Sequence, residues 1–239
     1  MKKTAFLIIA LLLAGTAFSH ETAENNEEDL PESDAVLAFI YNNPPTNYLI
    51  VGFFGTIALI ILSIVLKPKQ DGTKKIIFAF IVAFIGIPSA YLAFSTVYEN
   101  IVSETGGPVH WHADYEILVC GEPLELLESE GIENKVGSAE VHGHNDYRIH
   151  IEGTLLSERE ASLGNFFRQI GGEMTETSLT VPLKDKTIGH WDNDMECPDG
   201  KQGKWKMVVN GTETEFNPEY VIAPYSTVPP GDYIEMVFE

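Results

Sequence analysis

Cysteine is scarce in this chain. Its 239 residues include two, Cys120 and Cys197, far apart and in no Cys-x-x-Cys arrangement. A dithiol redox centre finds no support in that spacing, and an oxidising compartment argues against thiol ligation of a metal. In an oxidising compartment such a pair forms one structural disulfide. Basic residues are also few, with 15 Lys and Arg against 35 Asp and Glu and a net charge of -20. Phosphate-backbone binding relies on clustered Lys and Arg, so nucleic acid is excluded as a partner. No Gly-x-Ser-x-Gly and no phosphate loop occurs. Met174, Met195, Met207 and Met236 do not cluster, which argues against a soft Cu(I) site. Internal repeats and low-complexity tracts are absent as well.

A mean hydropathy near zero conceals two populations, an apolar N-terminal third and an acidic remainder. From Glu104 onward there are 26 acidic residues against 9 basic ones. Such a surface attracts cations and repels anionic headgroups. It is read either as solubility in a salty habitat or as a cation-gathering field.

Lys2 and Lys3, the apolar run Ala5 to Leu13 and the small residues up to Ser19 follow the order of a secretory signal peptide over 1–19. The alternative is an uncleaved signal anchor. Residues 20–47 form an acidic leader, in which Ala35 to Tyr41 is apolar but too short to span a membrane. Tyr48 to Leu66 and Ile76 to Tyr98 carry no charge. Each approaches the roughly 20 residues a membrane-crossing helix requires. Between them the linker 67–75 holds Lys67, Lys69, Lys74 and Lys75 against Asp71. The positive-inside rule places this linker in the cytoplasm and both flanks outside, whichever fate the signal has. The expected protein is therefore a two-pass protein of the cell membrane. Gly86 and Pro88 in the second span read as ordinary membrane-helix residues rather than a hinge.

Residues 104–239 read as an extracytoplasmic, β-rich domain of α+β class with one main helix, of β-grasp type. Val109 to Cys120 alternates apolar and polar residues with period two, the mark of a strand with one face on a core. Gly121 and Glu122 turn it into a second strand over Pro123 to Leu127. Tyr147 to Ile151 alternates likewise. Ser162 is a helix N-cap, Leu163, Phe166, Phe167 and Ile170 form an apolar stripe, and Gly171 is the stop. Trp205 to Val209, Asn210-Gly211 and Thr212 to Phe216 form a hairpin with type I′ chemistry, and Tyr233 to Phe238 is a last strand. Asn210-Gly211-Thr212 is also a glycosylation sequon, but the turn accounts for Asn-Gly without a sugar.

Five histidines within about forty residues carry the functional signal: His110, His112, His142, His144 and His150. In a His-x-His pair on a strand, both rings fall on one side of the sheet. Two such strands side by side converge several imidazoles on one ion. Neutral imidazole suits Zn, Cu, Ni or Fe, with Zn and Cu foremost. Asp114, Glu116, Asp146 and Glu152 can complete the ligand set or accept the far ring N–H. The competing reading is a hydrogen-bonded, pH-sensitive polar cluster. His190, beside Trp191 and Asp192, reads as surface in a loop.

His110-Trp111-His112-Ala113-Asp114-Tyr115-Glu116 is similar to half of the first cupin motif, without the glycine spacing and without the second motif. From His110 to Glu239 the chain resembles uncharacterised exported or membrane-anchored proteins of archaea and uncultured bacteria. The resemblance rests on the first His-x-His strand ending at Gly121, on His142 to His144, and on Ile149 to Glu152. It continues through Leu163 to Phe167 and Val208 to Gly211. It implies the domain's boundaries and the importance of its histidines, but no reaction. The expected function is a membrane-anchored, metal-binding module for capture, delivery or sensing of a transition-metal ion. Two alternatives stand beside it: a metal-dependent enzyme with a three-histidine site, and an accessory subunit with a membrane-protein partner.

Overall fold

A computed structural model of the protein describes residues 34–130 and 134–239. The expected signal peptide and the first half of the expected acidic leader, residues 20–33, lie outside the described residues. The chain divides into two compact units, Met1–Glu99 and Asn100–Glu239.

The first unit is helical. Helix α1, Ala35–Asn42, begins at Asp34, whose Oδ1 accepts the backbone N–H of Val36 and Leu37 at 2.9 and 3.0 Å. This satisfies two of the donors that every helix start leaves open. Pro45 opens helix α2, Pro45–Leu66, at a position where a missing N–H costs nothing. Helix α3, Asp71–Val102, follows after four residues, so the lysine-bearing linker is shorter than its charge pattern suggests because Asp71 to Lys75 are already helical. Both α2 and α3 are long and apolar enough to cross a membrane. They meet closely at Gly52, where a Cβ would sit 2.3 Å from the Phe84 carbonyl oxygen. Phe53, Ile64, Phe78 and Ile87 point outward and are each more than half exposed. Such a surface is unfavourable in water and ordinary in hydrocarbon.

The second unit is the β-rich α+β domain. Its strands are β1 Pro108–Val119, β2 Glu122–Pro123, β3 Val136–Gly137, β4 Val141–Gly143, β5 Arg148–Thr154, β6 Glu173–Met174, β7 Ser178–Pro182, β8 Ile188–Asp192, β9 Trp205–Val209, β10 Thr212–Thr214 and β11 Asp232–Phe238. One sheet has the order β10-β9-β11-β1-β5-β4-β3, with β2 paired to β1. β6, β7 and β8 form a second, antiparallel sheet. The first and last strands lie side by side and parallel at the centre, from Ala113 opposite Asp232 to Val119 opposite Phe238.

Alternation decides which face is core. Ala113 and Ile117 of β1, Ile149 and Ile151 of β5, and Val141 of β4 all join one buried cluster. Helix α4, Leu163–Gln169, adds Leu163, Phe166 and Phe167 to it. Ser162 caps that helix by accepting the Asn165 N–H, and Gly171 follows it at φ +90°. Asn210 and Gly211 both have positive φ, as a type I′ turn requires. Cys120 and Cys197 form the disulfide, closing 77 residues of chain.

Two expectations are corrected. The second strand extends over Glu122–Pro123 alone: the Leu124 N–H still donates to the Ile117 carbonyl, but the chain then turns away from β1 toward the end of β7. Beyond it Leu126 bridges to Leu183, and the Leu127 N–H donates to the Pro182 carbonyl. His190 lies on strand β8 rather than in a loop. Its Nδ1 is 2.7 Å from the hydroxyl of Thr180, the residue opposite it on β7.

Candidate metal centre

Register brings the histidines together. Opposite the core face, β1 and β5 place His110 across from Glu152, His112 across from His150, and Asp114 across from Arg148. β5 lies between β1 and β4, and His142 of β4 is also opposite His150. A row of three imidazoles, His112–His150–His142, therefore runs across three adjacent strands. His110 and His144 flank its two ends as the second members of the His-x-His pairs.

The rings are in contact. His110 and His112 approach through their Nε2 atoms at 2.9 Å, and His142 and His144 do so at 3.0 Å. Two nitrogens bound to one ion at about 2.0–2.1 Å lie about 2.9 Å apart at a right angle and about 3.4 Å apart at the tetrahedral angle. Each pair thus has a spacing compatible with shared ligation as well as with an N–H···N hydrogen bond. The His150 ring centroid is 4.6 Å from that of His112, 4.6 Å from that of His144, and 5.6 Å from that of His142. Two groups gather ligand atoms within 4.8 Å of one another: His110 with His112 and His150, and His142 with His144 and His150.

The surroundings prepare these rings unequally. His110 is exposed, whereas His142 is only 2 % exposed. Gly137 helps bury it, since β3 pairs Gly137 with His142 at a φ of +122°. A Cβ there would fall 2.5 Å from the Val141 carbonyl oxygen. The His142 Nδ1 is buried and has no hydrogen-bond partner among the described residues. An unsatisfied buried polar atom costs about 1–3 kcal/mol, whereas the other ring nitrogen, Nε2, is the one that faces His144. His144 Nδ1 faces the Asn134 carbonyl oxygen. A carbonyl only accepts, so Nδ1 carries the proton and Nε2 is left as the basic nitrogen.

Electrostatics favour the neutral, ligand-competent form of His112 and His142. Burial lowers the His112 pKa, aided by His150, His110 and Arg148 and opposed by Glu152. Burial likewise lowers that of His142, with His144, His150 and Lys135 adding to the effect and Glu152 opposing it. For Asp146, burial acts upward, but hydrogen bonding and charge attraction from His150 hold its pKa below the usual carboxylate value.

The four carboxylates are placed differently. Asp146 Oδ2 is 3.1 Å from His150 Nε2, and Glu152 Oε1 is 3.3 Å from His110 Nε2. Asp146 thus orients a ring, the arrangement that steadies metal-binding histidines. Asp114 is held instead by the Arg148 guanidinium through both oxygens. Glu116 accepts from the Tyr233 hydroxyl at 3.0 Å, on the β11 side of β1. His190 belongs to neither histidine group. Sequence reasoning missed Asn134 and Gly137, and only the glycine carried a signal, as a residue suited to close backbone approach.

No protein-family model, curated protein or solved structure matches the chain. The function therefore rests on the site itself. Five imidazoles with flanking carboxylates have the donor chemistry of a borderline transition-metal ion rather than of Mg or Ca, which prefer oxygen.

Proposed function

We propose that this protein is anchored in a membrane by α2 and α3 and holds a transition-metal ion, Zn or Cu, on the histidine face of its β-rich domain. The reading includes an extracytoplasmic domain, with Lys67, Lys69, Lys74 and Lys75 on the cytoplasmic side. Metal capture, delivery or sensing is the role that follows. The observation that carries it is the cross-strand row His112–His150–His142, flanked by the close nitrogen pairs His110/His112 and His142/His144. The acidic balance of the domain would raise the local cation concentration. The central, parallel first and last strands favour the β-grasp reading of the fold.

The test uses the full chain purified in mild detergent, stripped with chelator and equilibrated with Zn(II) or Cu(II). Elemental analysis should find stoichiometric metal, and His150→Ala should weaken binding at least tenfold. A wild-type chain that takes up no metal, or a variant that binds equally well, overturns the reading.

A three-histidine group also leaves coordination positions open, which favours a metal-dependent enzyme as the second reading. Azide binding to the Co(II)- or Cu(II)-loaded chain, seen as a spectral change, would support it.

A further inference from the structure

The two histidine groups have one member in common. His110, His112 and His150 form one, His142, His144 and His150 the other, and His150 sits on the strand between the two pairs. We propose that they are alternative positions for a single ion, an outer one and an inner one, and that His150 keeps hold of the ion as it passes between them. This inference rests on the metal-binding reading above.

The proton on His150 decides between one ion and two. Its Nε2 lies 3.1 Å from Asp146 Oδ2, and a carboxylate accepts, so Nε2 carries the proton. Only Nδ1 then has a lone pair to give. One lone pair serves one ion at a time, so the two groups compete for His150. Two divalent ions on adjacent strands would also repel strongly among neutral imidazoles.

The groups differ in access and in chemistry. His110 is exposed and Glu152 stands 3.3 Å from its Nε2, so the outer group combines solvent access with an oxygen donor. Such a position suits the arrival of a hydrated ion. The inner group has the buried His142, and its three members all offer nitrogen. Removing an ion from water without a charged ligand favours metals that bind imidazole strongly, so the inner position selects Zn or Cu over Mg or Ca. Transfer exchanges the His110/His112 pair for the His142/His144 pair, two nitrogens for two nitrogens at nearly equal spacing, 2.9 and 3.0 Å. Holding on to His150 avoids passing through free, hydrated metal.

Co(II) is the probe, because its visible absorption reports the ligand set, and the full chain in detergent is the material. The wild type should bind one Co(II) per chain and release it slowly to excess EDTA. His142→Ala/His144→Ala should still bind one ion but release it at least tenfold faster, from the outer position. His110→Ala/His112→Ala should load at least tenfold more slowly and, because the ion leaves by the path it entered, release correspondingly more slowly than the wild type. His150→Ala should weaken binding more than either double variant. If the His142 change unfolds the domain, His144→Gln carries the same expectation of fast release. Two ions bound per wild-type chain would overturn the proposal in favour of a dinuclear centre. Complete loss of binding in either pair variant would overturn it in favour of one undivided site. Failure of the wild type to bind Co(II), Zn(II) or Cu(II) would instead overturn the metal-binding reading beneath it.

Discussion

The two faces of the β1–β5–β4 sheet segment use the same strands for opposite purposes. Ala113, Ile149, Ile151 and Val141 on one face are almost fully buried among other apolar side chains. On the other face His110, His112, His150, His142 and His144 touch one another and two carboxylates. A change on the core face removes apolar area and leaves a cavity. A change on the histidine face removes a ligand but little packing. Stability and metal affinity are therefore expected to separate residue by residue along one strand.

The largest effect on stability should come from the core face. Ile151→Ala is expected to destabilise the domain by about 2–5 kcal/mol, because a fully enclosed side chain leaves a void. Thermal or urea denaturation checks this, and metal affinity measured well below the transition should stay within a few-fold of wild type. A parallel loss of affinity in the folded variant would break the separation of faces. Opening the Cys120–Cys197 bond, by reduction or by Cys→Ser at both positions, should cost about 2–4 kcal/mol through the freed 77-residue loop. The histidine rows should still form in the folded state.

Acid provides the next contrast. The pKa values of His112 and His142 are lowered by burial from the ordinary 6.5. Between that value and their lower folded values, the unfolded chain binds more protons than the folded one. Their contribution to stability is then fully present above pH 6.5 and is lost as pH falls through it toward the folded values, after which the loss levels off. Stability of the metal-free chain measured across pH 7.5 to 5 should decline in that sense. The slope should flatten in His112→Gln and His142→Gln. An undiminished slope in both would remove these rings as its source.

Smaller changes sharpen the assignment of the carboxylates. Asp146→Asn should leave stability within about 1 kcal/mol of wild type and weaken metal binding about tenfold, since the acceptor beside His150 Nε2 loses its charge. Asp114→Asn should not change metal affinity by this route, because its carboxylate is engaged by Arg148. Equal metal effects of the two substitutions, read by competition with a chelator, would erase the distinction. His190→Gln is the smallest change of all, with stability within about 0.5 kcal/mol and metal binding unaltered.

Much of this could be read from residue order because the relevant physics is local. Period-two alternation names the buried face of a strand without reference to its neighbours. Ser162 and Gly171 bound a helix, Asn210-Gly211 shapes a turn, and uninterrupted apolar runs mark α2 and α3. The His-x-His spacing likewise puts each pair on one face by itself. Where the local rule was incomplete, the reading failed. The second strand stopped early because the residues after Leu124 pair near the end of β7 instead of with β1, and His190 sat on a strand that its polar surroundings concealed.

What only the tertiary structure decided was adjacency. Alternation assigns faces, but it says nothing about which strand lies beside which, or in what register. The pairing of β1 with β11, more than a hundred residues later, and the insertion of β5 between β1 and β4 are long-range choices made by the shared core. Those choices turned two separate His-x-His pairs into one row centred on His150. They also buried His142 beneath Gly137 and gave Asp146, but not Asp114 or Glu116, to the histidines. Ligand chemistry was thus a property of the sequence, whereas the sharing of His150 between two groups arises only when the sheet closes around β5.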